Sequence, residues 1–237
     1  MQTENNIQIS RQNISYYNEI AAGYNSLLEK DATNKIIRKI VAEKFINTVK
    51  PGWVIDFGGG TGQDLPCLTA YNYDIIFCEP AAGMRMIAKH YRTANPGTNT
   101  INFLEGDNTD FRNWEEILPF KQKADGVLAN FAVFNCIPDI DRLFINLSQV
   151  MNPGGHVIAL IMNNRLNRML RQYFRSTIKS LISGKPLTIS ISYHSEMQTV
   201  YIYSGAAIKK AFEKYFTLQS EEILTGDGFK LLHLVKK

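Results

Sequence analysis

The densest chemistry in this chain lies in Val54-Ile55-Asp56-Phe57-Gly58-Gly59-Gly60-Thr61-Gly62. An apolar run ends there in glycines, which allow a tight turn and a close backbone approach to a ligand. A helix following the glycines would add free N–H groups and the positive end of its dipole. Such a loop suits either a pyrophosphate or the polar tail of S-adenosylmethionine (SAM). Three later polar groups extend the pattern. Glu79 ends the next strand-like run, where a carboxylate can accept hydrogen bonds from both hydroxyls of a ribose. Asp107, in Glu105-Gly106-Asp107-Asn108, follows a third run and could take an adenine amino group. Asn130 and Phe131 end a fourth. Four successive strand ends with suitable polar groups form a more specific signal than the glycines alone.

The elements needed to position these residues can be read from the periodicity. Thr33 is a candidate cap for a helix whose apolar positions are Ile36, Ile37, Ile40, Val41, Phe45 and Val49, stopped by Pro51-Gly52. Trp53–Phe57 reads as a buried strand, followed by a helix from Thr61 to Ala70. Asp74–Cys78, Ile101–Glu105, Ala124–Asn130 and His156–Met162 read as further strands. Pro80 suits a first helical turn, with Met84, Ile87, Ala88 and Tyr91 at helical spacing behind it. Asn113 is a candidate cap for a short helix through Leu118. Asp139–Val150 is helical, and Pro153-Gly154-Gly155 turns the chain into the fifth strand. Strands alternating with helices predict a parallel sheet covered on both faces, with ligands at the carboxyl ends of its strands.

Beyond Met162 the pattern changes. Arg165–Ile182 reads as an amphipathic helix with Leu166, Met169, Leu170, Tyr173, Phe174, Ile178 and Leu181 on its apolar side, which is expected to be buried. Leu187–Tyr193 and Gln198–Tyr203 read as strands, Ala206–Tyr215 as a helix, and Phe216–Lys237 as two strands joined at Gly226-Asp227-Gly228.

These motifs resemble the class I SAM-dependent methyltransferases, over about residues 12 to 162. The first motif of that family fits Asp56, Gly58, Gly60 and Gly62. Its acidic second-strand end fits Glu79, its Gly-Asp pair fits Gly106-Asp107, and its Pro-Gly-Gly fits Pro153–Gly155. Tyr17-Asn18-Glu19-Ile20-Ala21-Ala22-Gly23-Tyr24-Asn25 is similar to the N-terminal segment of the small-molecule branch, with Asn18 and Asn25 in place of two aspartates. The resemblance implies an α/β, Rossmann-like, doubly wound seven-stranded sheet with its last strand antiparallel, and a helix-plus-strands lid inserted after the fifth strand. It implies one domain: a helical cap over residues 1–50, a SAM-binding core over 51–162, a substrate lid over 163–205, and a C-terminal helix and strands over 206–237. The cofactor set it implies is Tyr17, Tyr24, Asp56, Gly58, Gly60, Gly62, Glu79, Pro80, Met84, Asp107, Asn108, Asn130 and Phe131.

A nicotinamide dehydrogenase is the main rival. Its Gly-x-Gly-x-x-Gly fingerprint would need glycine where Gln63 or Leu65 stands, so the loop favours SAM. Methyl transfer needs no covalent nucleophile, and no Ser-His-Asp or Cys-His pattern is present. Tyr16, Tyr17, Tyr24, Phe131 and Phe134 are candidate walls around a sulfonium. Should the acceptor be a hydroxyl, His194 is the preferred general base, with Tyr193, Tyr201 and Tyr203 around it.

The motifs of amino-directed and C5-directed DNA methyltransferases are missing, and so is a metal-binding cluster. The expected acceptor is therefore an oxygen or carbon of a small molecule, with no metal and no DNA. Six cations and no acid between Arg165 and Lys185 raise RNA or a membrane surface as alternatives, neither of them expected. A non-catalytic SAM-binding regulator is the other alternative, and a homodimer is compatible with the sequence. The net charge of +4 is mild, and the three cysteines form no C-x-x-C pair. With no signal sequence and no long apolar stretch, a cytoplasmic protein is expected.

Overall fold

A computed structural model of the chain describes residues 2–94, 99–115, 121–224, 226 and 228–237. Three helices come first: α1 (Gln2–Ile20), α2 (Tyr24–Glu29) and α3 (Ala32–Thr48). The alternating part follows as β1 (Trp53–Phe57), α4 (Leu65–Ala70), β2 (Asp74–Cys78), α5 (Ala82–Ala94), β3 (Ile101–Phe103), β4 (Ala124–Ala129), α6 (Ile140–Val150) and β5 (Met151–Met162). The C-terminal part is α7 (Leu166–Ser183), β6 (Leu187–Tyr193), β7 (Glu196–Ile202), α8 (Gly205–Phe212), β8 (Phe216–Ile223) and β9 (Phe229–Lys236).

Seven strands form one sheet in the order β3-β2-β1-β4-β5-β9-β8, while β6 and β7 pair as a separate antiparallel hairpin. Strands β1 to β5 run parallel, and β9 is antiparallel to both β5 and β8. This is the predicted doubly wound sheet with its last strand antiparallel. The apolar strands face both ways. In β2, Ile76 and Cys78 join the core under α6 and α8, while Ile75 and Phe77 join the core under α3, α4 and α5. The period of two in strands makes that division automatic. Chain order reverses between β1 and β4, so a crevice opens at their carboxyl ends.

Several predicted boundaries shift for local reasons. Asp31 caps α3, accepting the Thr33 N–H at 2.8 Å, so Thr33 is inside the helix and not its cap. Helix α4 starts at Leu65 and not at Thr61, because left-handed Gly60 and Gly62 keep the chain out of helical geometry. Strand β5 begins at Met151, and Pro153–Gly155 forms an irregularity in its pairing with β4. Residues Phe111–Glu115 form a short 3-10 turn, and Leu118 lies outside the described residues, as does Asp227. Among the described residues no helix is long and apolar enough to cross a membrane.

The largest departure is α7. It kinks at Tyr173 (φ −136°, ψ 46°), and only Met169 and Thr177 on it are buried. Phe174, Ile178, Leu181 and Ile182 are exposed, so most of its apolar side faces solvent against expectation.

Candidate functional site

A cavity of about 160 Å³ fills the crevice at the reversal point. The carboxyl ends of β1, β2 and β4 deliver residues to it, the segment Thr109–Arg112 after β3 supplies another wall, and Ser10, Asn13, Ile14 and Tyr17 of α1 line it as well. Of the predicted set, Tyr17, Tyr24, Gly58, Gly60, Glu79, Pro80, Met84, Asn130 and Phe131 line this space.

The glycine loop is tied to β2 through the Gly58 N–H, which donates to the Cys78 carbonyl at 2.7 Å. Gly60 has φ +58°, and a Cβ there would meet only Tyr24 Cε1, at 3.9 Å. The loop therefore presents bare backbone to the cavity at Gly60. Gly62 (φ +81°) has another role. A Cβ there would lie 2.8 Å from Leu65 Cδ1 and 2.9 Å from Ala88 Cβ, so it permits α5 to pack against the start of α4. It does not line the cavity.

Glu79 is 7% exposed at the end of β2. Its Oε2 accepts the Gly60 N–H at 2.9 Å and its Oε1 accepts the Ala81 N–H at 2.7 Å. Burial pushes its carboxyl up to about 7, although those two N–H groups and Arg85 pull the other way. Asp56 lies beneath the loop and does not reach the cavity. Its Oδ2 is buried without a hydrogen-bond partner, and burial together with nearby Asp64 holds its carboxyl well above the usual range.

The N-terminal segment is held by side-chain amides. Asn13 donates to the carbonyls of Cys136 and Thr199, each at 3.0 Å, and accepts the Thr199 N–H at 2.8 Å. One residue thereby joins α1, the turn after β4 and the β6–β7 hairpin. Asn18 Oδ1 accepts the Gly83 N–H at 2.8 Å, and Asn25 Oδ1 accepts from Thr61 and from Gln63. Both asparagines act through a neutral acceptor oxygen, so neither contact needs the negative charge of an aspartate. The Tyr17 hydroxyl accepts from Gln198 at 2.7 Å and lies 3.7 Å from Cys136 Sγ. Its ring meets that of Tyr24 edge-on at 6.2 Å. Burial raises Tyr17 well above its usual value and Tyr24 to about 12, so both hydroxyls stay protonated at neutral pH.

At the end of β4, Phe131 (φ +49°) and Ala132 (φ +63°) are consecutive non-glycine residues in left-handed geometry. Strain of this kind costs about 1–3 kcal/mol per residue and persists only where surrounding contacts enforce it. Here Asn130 Oδ1 accepts the Phe131 N–H at 3.0 Å, and the Ala132 N–H donates to the Leu160 carbonyl at 2.8 Å. Asn130 Nδ2 reaches Asp64, which is bridged to Arg38 at 2.6 Å, and the Arg38 guanidinium lies 4.7 Å from the Phe131 ring centre.

Other expected residues lie elsewhere. Asp107 and Asn108 are exposed and line no part of the cavity; Thr109, Asp110, Phe111 and Arg112 occupy that wall. The chain forms a 3-10 turn at Gly106–Thr109 that carries the first pair outward. His194 does not line the cavity either. It sits at the tip of the β6–β7 hairpin with φ +49°, exposed, its ring beside Tyr193 and its Nδ1 3.1 Å from Glu19 Oε1. Tyr201 and Tyr203 are buried in the core, and the Tyr203 hydroxyl donates to the Ile137 carbonyl at 2.6 Å. Phe134 packs in the same core, and Tyr16 packs beside Ile20 and Met84. Asn13, Arg38, Asp64, Cys136 and Gln198 escaped the sequence reading, because each acts through partners far away in the chain.

The profile of the family described as a methyltransferase domain matches residues 24–216. A search of curated proteins returned no match. Among solved structures, the DhpI–SAH complex superposes with a TM-score of 0.66 at 15% identity, covering 96% of this chain and 97% of that one. A SAM-dependent methyltransferase from Clostridium acetobutylicum ATCC 824 gives a TM-score of 0.65 at 14% identity, covering 93% and 98%. The PH0226 protein from Pyrococcus horikoshii OT3 gives 0.61 at 18% identity, covering 90% and 91%. At these identities the likeness speaks for the fold, and the profile match over most of the chain speaks for the family. The chain belongs to the methyltransferase-domain family and has the class I SAM-dependent methyltransferase fold.

Proposed function

We propose that this protein binds SAM in the cavity at the ends of β1 to β4 and transfers its methyl group to an oxygen or carbon of a small organic molecule. The observation that carries the reading is Glu79, a buried carboxylate at the end of β2 beside a glycine loop with open space above Gly60. A carboxylate in that place suits two vicinal hydroxyls, and bare backbone suits a charged amino-acid tail. Tyr17, Tyr24 and Phe131 line the same space and offer aromatic faces to a cation. Glu79, Gly58, Gly60, Tyr17, Tyr24, Met84 and Asn130 would hold the cofactor.

Bound SAM supplies a methyl group on a sulfonium, with a leaving group that needs no activation. The chain's own task is alignment and exclusion of water, and alignment can contribute roughly 7–11 kcal/mol. Asn13 fixes α1, which lines the cavity, to the hairpin and to the turn after β4, and this serves alignment. The cavity is smaller than the roughly 300–1,000 Å³ usual for small-molecule sites. Partial cover of the cavity by Ser10, Asn13, Ile14 and Tyr17 of α1 favours a small acceptor over a polymer.

No histidine lines the cavity among the described residues. The Tyr17, Cys78 and Cys136 side chains there are held protonated by burial. The carboxylates Glu79 and Asp110 line the same cavity, so a proton acceptor for a hydroxyl is present there. Calorimetry tests the cofactor: SAM and its demethylated product should each bind at about micromolar concentration. Absence of heat from both would overturn the proposal. Methyl transfer from labelled SAM to a panel of small acceptors then tests the substrate class.

A further inference from the structure

The exposed side of α7 has no place in the chemistry above. Two kinds of side chain occupy it. Phe174, Leu181 and Ile182 are 64%, 57% and 82% exposed, and Ile178 is exposed beside them. On a helix the positions 174, 178, 181 and 182 share one side, because they recur at three- and four-residue spacing. Arg171, Arg175 and Lys179 are exposed next to that stripe, and Arg165 and Lys185 are exposed at the two ends.

The charge is one-sided. No aspartate or glutamate occurs between Asp141 and Glu196, whereas residues 165–185 carry six arginines and lysines. Without those six the chain would be net acidic, so its whole positive excess is concentrated on this element.

Helix α7 rests on β6 through Met169, Tyr173, Leu187 and Ile189, and among the described residues Phe174, Ile178, Leu181 and Ile182 stay exposed. Exposed large apolar side chains with a purely basic flank are unfavourable in water and complementary to one kind of environment, the headgroup boundary of an anionic bilayer. A nucleic acid would satisfy the cations but leave Phe174, Leu181 and Ile182 wet.

We infer that α7 docks this protein onto an anionic membrane surface, with Phe174, Ile178, Leu181 and Ile182 entering the acyl boundary and the arginines and lysines meeting lipid headgroups. The docked element is joined to the cavity. Strand β6 pairs with β7, and β7 carries Gln198, which donates to Tyr17 in the cavity wall. An acceptor dissolved in the bilayer could then be collected without leaving the surface.

The test is flotation of the full-length protein with vesicles of phosphatidylcholine alone and with vesicles containing one part in three phosphatidylglycerol, about a third of the lipid, in the composition range where basic segments bind. The protein should float with the anionic vesicles only and be released by high salt. Each cation near the surface is worth about fivefold in partitioning, so R175Q/K179Q should bind about 25-fold more weakly. F174S/I182S should lose about tenfold or more through its apolar side chains. Retained SAM binding by both variants shows that they are folded. Equal flotation of the wild type and both variants would overturn the inference. So would a dimer in sedimentation equilibrium that F174S/I182S abolishes without any vesicle binding, or RNA binding in place of vesicle binding.

Discussion

Glu79 uses both of its carboxylate oxygens on backbone N–H groups, yet burial leaves its proton affinity near neutrality. Below about pH 7 the group carries its proton, and one oxygen ceases to be a good acceptor. SAM affinity measured by calorimetry should therefore rise between pH 6 and pH 8. In Glu79→Gln it should be flat with pH and about 10–100-fold weaker, the cost of losing a charged acceptor. A wild-type pH dependence preserved in the variant would remove Glu79 from that role. Glu79 was legible in the sequence because a strand end is a local feature. The position of His194 was not legible, for the opposite reason. Its neighbours Tyr193 and Tyr201 suggested a pocket, but a hairpin turn carried it to the surface while Tyr201 went to the core.

At the scale of elements, the glycine loop divides its labour. Gly60 faces the cavity, whereas Gly62 sits where α4 and α5 meet. Gly62→Ala would add a Cβ against Leu65 and Ala88 and force φ +81° on a residue that resists it. It should cost about 2–4 kcal/mol in urea unfolding. Gly60→Ala adds a Cβ that meets only Tyr24 Cε1, at the ordinary contact distance of 3.9 Å, so its stability cost should be limited to about 1–2 kcal/mol of backbone strain, while SAM binding should weaken. If both variants lost binding and stability in equal proportion, this division of roles would fail. Periodicity found the helices and strands of this region, but it could not find where α4 begins. That boundary depends on the left-handed conformation of two glycines, and glycine is permitted that conformation without being obliged to adopt it.

For the whole molecule, the far side of the sheet holds a titratable pair. His156 Nδ1 and His233 Nε2 face each other at 3.0 Å across the antiparallel pairing of β5 and β9. Burial lowers both, and His233 falls to about 4, with His156 and Lys44 adding to the effect. A histidine whose folded value is depressed contributes stability above its unfolded value near 6.5, and that contribution is lost as pH falls toward the folded value. Going from pH 7.5 to pH 5, His233 should therefore account for roughly 2 kcal/mol of lost stability. His233→Gln should reduce the pH dependence of urea unfolding by that amount. An unchanged profile would show that the pair does not control acid sensitivity.

The sequence by itself determined the alternation of elements, the doubly wound sheet and the strand ends at which Glu79, Asn130 and the glycines stand. These follow from periodicity and from residues acting on their immediate neighbours. The tertiary structure alone decided which side chains share the cavity. It brought Asn13 to Cys136 and Thr199, Gln198 to Tyr17, and Arg38 to Asp64 and Phe131. It also turned Asp107, Asn108 and His194 away, and it left one side of α7 bare. An amphipathic pattern states that a helix has an apolar side, but burial of that side requires a partner element, and here the folded chain covers only Met169, Thr177 and their nearest neighbours.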